Sequence, residues 1–390
     1  MENVSMPTTK AKNLIYRLAL PFFSPSVPSF SESDIKGHAL SHPDAFLKII
    51  RRNHISGGAF YLQNDNESTH VFIKAVHTDQ VPDDQTYFRV ASITKMATAL
   101  LSVRLMDLGL LDPEAPVASL LPDGKTVPEL KGVLFSHLLS HTSGLADPPD
   151  LEKLLISKTP YTKAVSGCRF NEPGKIFRYS NLGFGLIGCI FEYVLNKPLG
   201  EIFREFLFIP LKMRASIEGC LLPEDLIMPV IRMFPYREGT SLRVTRLGRI
   251  PLRTPDPLLH YGHTAGSMYT DLQSLASMMC CIRDGGSPLL SPQYTGFMQI
   301  QKASYGAVSP TLSYGSGLLL IRDRRISENT VYGHQGFAYG CVDGAFWEDK
   351  TGNMIISLNG GCSEARSGRL GIVNLELCSW AFRKEFAGWK

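Results

Sequence analysis

No stretch of this chain approaches the ~20 consecutive apolar residues of a membrane-spanning helix, which excludes an integral helical membrane protein. Excess charge of one sign is missing as well. Forty Lys+Arg against 36 Asp+Glu leave +4 over 390 residues, too even a balance for a nucleic-acid partner. Gly-x-Ser-x-Gly does not occur, so the nucleophile elbow of the α/β-hydrolases is out. The eight cysteines form no Cys-x-x-Cys pair and no dense framework. Several sit in apolar context, as in Gly188-Cys189-Ile190-Phe191, and read as buried free thiols of a reducing compartment. The apolar stretch Asn13–Phe23 is broken by Arg17 and Pro21, and no clean small-residue cleavage site follows, so no signal peptide is expected. Its basic, nearly acid-free start leaves a transit peptide as the alternative to a cytoplasmic location, which is the default expectation.

What is present is a globular composition, 44% hydrophobic and 19% charged, long enough for two domains or for one domain with an insertion. Residues 1–42, rich in Ser and Pro, read as an N-terminal extension. Asp44–Arg52 has helical periodicity, and Gly57–Leu62 and His70–Ala75 read as strands about the turn Asn64-Asp65-Asn66. From about residue 96 helix predominates: Leu100–Leu110, then Phe135–Leu145 stopped by Gly144. The glycines of Leu182–Gly188 predict close packing against another helix. Thr126-Val127-Pro128-Glu129 fits a capping box. Residues 221–262, rich in Pro and Arg, read as a long surface excursion, and Asp271–Met279 as the helix that returns the chain. Strands are expected at 314–321, 330–335, 339–347 and 353–359, with a hairpin turn at Lys350–Asn353 and a closing helix at about 372–386. The expected organisation is a discontinuous sheet domain, 43–95 and 263–390, around a helical insertion, 96–262. There is no internal repeat.

The chemistry gathers on Phe88-Arg89-Val90-Ala91-Ser92-Ile93-Thr94-Lys95, which runs into the apolar Met96–Leu101. Three apart at the start of a helix, Ser92 and Lys95 fall on one face within reach of each other. A serine hydroxyl needs a neighbour to take its proton, and a lysine desolvated or crowded by cations can do so. A second Ser-x-x-Lys, Ser33 to Lys36, has no apolar helical run behind it and reads as chance. Tyr179-Ser180-Asn181 offers a phenol whose pKa a cationic lysine would lower, and an amide that can hold a lysine or a substrate carbonyl. Alone it reads rather as a helix start capped by Ser180 or Asn181, with Tyr179 packed. Gly333-His334-Gln335-Gly336-Phe337 lies on an expected strand whose glycines suggest that another backbone or a ligand comes close.

Ser92-x-x-Lys95, Tyr179-x-Asn181 and His334-x-Gly336, in that order, resemble the serine β-lactamase and penicillin-binding-protein-like superfamily. The class C β-lactamase branch is most similar, with its family VIII-type esterases and its acyltransferases of polyketide pathways. His137–Leu145, Glu172-Pro173-Gly174 and Ala265-Gly266-Ser267-Met268 agree with it, and the resemblance covers about 43–390. It implies an α+β, β-lactamase/transpeptidase-like fold: an antiparallel sheet flanked by the terminal helices, with an all-helical region inserted. It implies Ser92 as the acylated nucleophile, with Lys95 and Tyr179 sharing general-base and general-acid work. Asn181 would orient Lys95 or the acyl group, and His334 and Gly336 would line the third side. The backbone N–H groups of Ser92 and Phe337 would form the oxyanion hole. His137 and His141, four apart, lack an evident third ligand, and neither a metal nor a cofactor is expected.

Histidine at 334 departs from the lysine of β-lactamases and peptidases, and so removes a cation that helps hold a substrate carboxylate. The expected function is therefore a serine hydrolase or acyltransferase, an esterase or transesterase of small-molecule esters or thioesters, with secondary-metabolite biosynthesis as a setting. A D,D-peptidase or β-lactamase is the first alternative and a catalytically silent scaffold the second. The expected partners are a small-molecule acyl donor and acceptor. The basic excursion, with Arg232, Arg237, Arg243, Arg246, Arg249 and Arg253, makes an acyl-carrier protein or a coenzyme A thioester a further candidate. Tyr332, Phe337, Tyr339, Phe346 and Trp347 are candidates for an apolar acyl pocket, or else for sheet core.

Overall fold

The computed structural model describes residues 43–64, 67–75, 81–233, 236–240, 250–338 and 340–383, with the short pieces 18–19, 35–37 and residue 40. Its large sheet comprises β1 (Ile35–Gly37), β2 (Gly58–Asn64), β3 (Glu67–Ile73), β4 (Ala303–Ser304), β5 (Leu312–Tyr314), β6 (Leu319–Ile321), β7 (Val331–Ala338), β8 (Cys341–Glu348) and β9 (Met354–Asn359). All neighbours are antiparallel, in the order β1-β3-β2-β9-β8-β7-β6-β5-β4. The architecture is α+β.

Alternation along the strands divides the core in two. On one face lie α1 (Pro43–Arg52) and α7 (Ile372–Phe382), which bury Phe46, Ile50, Val373, Leu377 and Trp380 against Phe60, Val71, Phe346 and Ile355. Phe46 sits edge-on to Phe60, with ring centroids 5.1 Å apart. On the other face lie α2 (Thr94–Asp107) and α6 (Leu272–Arg283), together with the helical region between them. That region includes α3 (Phe135–Leu139), α4 (Asn181–Leu195) and α5 (His263–Gly266). In α2 every residue from Thr94 to Met106 except Arg104 is buried, as expected of a helix that runs through a core rather than along a surface.

The glycines of α4 let the 260–264 segment approach. A Cβ on Gly185 would stand 1.6 Å from the Tyr261 carbonyl oxygen, which no side chain survives. The same segment is tied down by Glu192, whose buried carboxylate accepts from the backbone N–H groups of Leu199 and Asp256 and from His260 Nδ1. Close approach and carboxylate together hold the segment leading into α5 beside α4.

Several local expectations need correction. Ile35–Gly37, within the expected extension, pairs with Thr69–Val71 of β3. The run 314–321 is two strands, separated by the turn at 315–318, where Gly317 has φ +69°. The helix at Phe135 stops at Leu139, and His141 takes φ 57°. Thr126 caps no helix: its hydroxyl donates to Asp123 O, and Glu129 instead accepts from the Gly167 N–H. Part of the excursion pairs as strands. Pro229–Met233 and Tyr236–Thr240 form a hairpin, and Ile231 is buried, its N–H donating to Gly360 O at 2.6 Å. The side chains of Arg232 and Arg237, and all of Arg243, Arg246 and Arg249, lie outside the described residues.

Candidate active site

Val90, Ala91 and Ser92 lead into α2 through a tight turn at Ala91–Ile93, in which Ala91 has φ 45°. A non-glycine residue in that region is strained, and here the strain sits one residue before Ser92. The Thr94 hydroxyl donates to Ala91 O at 2.6 Å and accepts from Met268 N at 3.0 Å, which pins the turn. Ser92 itself is half-buried, so its hydroxyl is reachable from outside.

Lys95 is completely buried one turn further on. Its Nζ donates to Asn181 Oδ1 at 2.9 Å and to Ala265 O at 2.6 Å, and lies 3.2 Å from Ser92 Oγ. Burial pushes the Lys95 ammonium down to about 7, with the Asp147 carboxylate opposing and the Arg89 guanidinium adding. A neutral amine has two N–H groups and one lone pair. Asn181 and Ala265 take the two N–H groups, which leaves the lone pair for the Ser92 hydroxyl.

The Tyr179 ring lies under Lys95, 4.8 Å from Nζ to the centroid, which brings its hydroxyl into the neighbourhood of Ser92. The lowered phenol pKa expected from the sequence is overturned. Burial pushes the Tyr179 phenol well above its ordinary value, and the nearby Ser92 hydroxyl only partly opposes this. A lysine that is itself losing its charge cannot offset that desolvation. Tyr179 is thus a protonated hydroxyl at rest.

The third side is β7. Tyr332, His334 and Gly336 face the helical region, whereas Val331 and Phe337 pack toward the terminal helices. Beyond Gly333, the last residue paired with β6, this edge of β7 lies against the Ser92 turn instead of a strand. A Cβ on Gly336 would stand 2.4 Å from Val90 O, so glycine is what allows the approach. His334 is buried and fully engaged: Nδ1 donates to Gln335 O at 2.7 Å and Nε2 accepts from the Tyr314 hydroxyl at 3.0 Å. Burial pushes its imidazole down to about 3, with Lys95 adding, so it carries no positive charge near neutrality.

Thus Ser92, Lys95, Tyr179, Asn181, His334 and Gly336 are brought together, with Phe337 beside them on the strand. The aromatics divide differently from the acyl-pocket expectation. Tyr332 and Trp347 stack at 5.4 Å and Phe346 is buried beneath the terminal helices, so these three are sheet core; Tyr339 lies outside the described residues.

Some neighbours carry no sequence signal. Asp147 accepts from Ser180 Oγ, Leu182 N and Asn181 Nδ2 at 3.0, 2.8 and 2.8 Å. Nothing in Leu145-Ala146-Asp147 marks it. His141, within a stretch the sequence does single out, accepts from Ser180 N at 3.1 Å and stacks 4.3 Å from Tyr179, and its neighbour His137 accepts from Leu134 N. Both are structural contacts, with no metal cluster among the described residues. Arg366 lies 3.8 Å over the Phe337 ring at the rim of the site.

The chain is 25% identical over 223 residues to a β-lactamase of Providencia stuartii, covering 55% of this chain and 54% of that one. It is 31% identical over 195 residues to esterase EstB of Burkholderia gladioli, covering 44% and 47%. Monacolin J acid methylbutanoyltransferase of Aspergillus terreus is 31% identical over 126 residues, covering 26% and 30%. The chain thus matches these curated relatives over about half of their length or less. Among solved structures, EstCE1, described as a hydrolase with promiscuous acyltransferase activity, superimposes with a TM-score of 0.66 at 17% identity. That match covers 87% of this chain and 98% of EstCE1, and it shows a shared β-lactamase/transpeptidase-like fold. The Beta-lactamase family model matches residues 44–347, more than three quarters of the sequence, and the chain belongs to that family.

Proposed function

We propose that the protein is a serine hydrolase or acyltransferase that forms an acyl-Ser92 intermediate from small-molecule esters or thioesters. One observation carries the reading: Lys95 Nζ, buried and held by Asn181 Oδ1 and Ala265 O, lies 3.2 Å from Ser92 Oγ, where its neutral form can take the serine proton. In that scheme neutral Lys95 takes the Ser92 proton as Oγ attacks the acyl carbon. Tyr179, protonated and beside Ser92, gives a proton to the departing alkoxide or thiolate, and Lys95 returns one to it. Water or an alcohol then reverses the sequence and frees Ser92. The backbone N–H groups of Ser92 and Phe337 are assigned to the carbonyl oxygen.

The neutral, saturated His334 supports esters over substrates that need a cation for their carboxylate. Likeness to a methylbutanoyltransferase supports transfer to a small-molecule alcohol in secondary-metabolite biosynthesis. The eight free cysteines fit a reducing compartment such as the cytoplasm, and no described helix is long and apolar enough to cross a membrane. The experiment is labelling with a fluorophosphonate probe followed by peptide mapping. Labelling of Ser92, and its loss together with ester cleavage in a folded Ser92→Ala variant, is the expected result; an unlabelled Ser92 in active or inactive protein overturns the reading.

A further inference from the structure

We infer that Asp147 is a positioning residue for the proposed acyl-transfer site: its carboxylate fixes which end of the Asn181 amide faces Lys95. The inference rests on the acyl-Ser92 reading and adds to it a group that touches neither Ser92 nor Lys95 through any hydrogen bond of the described site.

An asparagine amide offers an acceptor at one end and two donors at the other, and the two ends are nearly equal in shape. Lys95 needs the acceptor end, because an N–H aimed at Nζ would occupy the lone pair that must receive the Ser92 proton. Nothing in the Asn181 side chain alone prefers one orientation. Asp147 supplies the preference: its Oδ2 accepts from Asn181 Nδ2 at 2.8 Å, and a carboxylate cannot donate in return. Reversing the amide would set two oxygens against each other and two nitrogens against each other.

The carboxylate is itself held by its other oxygen. Oδ1 accepts from Ser180 Oγ at 3.0 Å and from the free N–H of Leu182 in the first turn of α4 at 2.8 Å. Ser180 Oγ in turn accepts from Gly183 N at 2.9 Å as the helix cap. The chain of contacts therefore runs from the helix start through Asp147 and Asn181 to Lys95. Several elements present groups to Lys95: Ser92 from its own turn, Tyr179 and Asn181 at the start of α4, and Ala265 O from α5. Arg89, His141 and His334 also act on it or are acted on by it through their charge. The Asp147 carboxylate acts on Lys95 through its charge and favours the protonated form.

Two effects follow from Asp147→Asn. The amide of Asn181 becomes free to turn, so the plateau of kcat/KM falls about tenfold to a hundredfold, the range expected when a catalytic group loses its support. Removing the anion makes Lys95 shed its proton more readily, so the acid limb of the pH profile moves to lower pH. A merely structural cap would lower the melting temperature and leave the limb in place.

The experiment is the pH dependence of ester cleavage, and of Ser92 labelling by fluorophosphonate, for the full-length wild type and Asp147→Asn side by side. A lowered plateau with an acid limb shifted to lower pH is the expected result. A plateau within twofold of wild type, or an unshifted limb, overturns the inference. Asp147→Ser keeps an acceptor for the Leu182 N–H while removing the charge, and carries the same test if Asp147→Asn does not fold. Failure of the acyl-Ser92 reading would show differently, as absence of labelling in the wild type.

Discussion

The Tyr314 hydroxyl donates to His334 Nε2 at 3.0 Å, deep between β5 and β7. With Nδ1 donating to Gln335 O, the imidazole is satisfied in a single neutral tautomer. Tyr314→Phe removes the donor and leaves a buried acceptor unpaired, which costs about 1–3 kcal/mol of stability. Urea unfolding at pH 7 measures it. An unchanged midpoint would mean that the ring does not depend on Tyr314.

Lys95 sets the pH dependence. Its ammonium is pushed to about 7, so the base form is depleted as pH falls below 7 and kcat/KM for ester cleavage drops about tenfold per unit there. His334, pushed down to about 3, adds no limb between pH 5 and 8. The same shift has a stability consequence. The folded-state pKa of Lys95 lies below its unfolded value of 10.5, so between about 7 and 10.5 the unfolded chain binds the extra proton. Relative to Lys95→Met, the wild type should therefore gain stability as pH rises from 7 toward 10 and show no Lys95-dependent change well below 7. Paired thermal melts across that window test the sign.

Gly336→Ala should damage both fold and site. The added methyl would stand 2.4 Å from Val90 O and 3.2 Å from Ala91 Cβ, so β7 and the Ser92 turn must separate. Such overpacking costs about 1–3 kcal/mol. Slower Ser92 labelling together with a lower melting temperature is the expected outcome. Wild-type labelling would show that the gap closes without moving Ser92.

The sheet and its flanking helices were legible because periodicity reports burial, and burial on one face is what a strand or terminal helix needs. Cys341–Glu348, buried at every position, is marked by its run Ala345-Phe346-Trp347 rather than by alternation, and Thr94–Asp107 by its apolar run. Boundaries followed a different logic. Thr126 and Glu129 have the spacing of a capping box, yet each bonds elsewhere, because the local signal does not include the Gly167 N–H brought in from 38 residues away. Ile231 in the excursion is buried because Gly360, just beyond β9, comes beside it and accepts its N–H, a partner distant in the sequence that no local pattern shows.

At the site, spacing alone placed Lys95 within reach of Ser92. The Tyr179 pKa went the wrong way because a sequence shows a cationic neighbour but not complete burial, and desolvation outweighs a fading charge. Asp147 could not be read at all: it is one more loop aspartate until α4 is laid against it.

The acceptor of the acyl group is the last matter that experiment must decide. β-Lactams and D-alanyl peptides carry a carboxylate near the scissile bond, and a lysine in the third motif would meet it. Here that position is a neutral imidazole whose two nitrogens are already engaged, by Gln335 O and the Tyr314 hydroxyl. Binding such a carboxylate at His334 would require charging a fully buried ring or breaking both bonds, each a cost that an ester without the carboxylate avoids. Once Ser92 is acylated, water and an alcohol compete for the same carbonyl, and a bound alcohol wins by its effective concentration. Short and medium acyl esters should therefore be cleaved and penicillin turned over poorly, and a suitable alcohol or amine at rising concentration should divert product from acid to ester or amide. The measurement is product partition by chromatography beside a penicillin hydrolysis assay with the same protein preparation. Efficient penicillin turnover without ester cleavage would instead make the protein a β-lactamase or peptidase acting through the same Ser92 and Lys95.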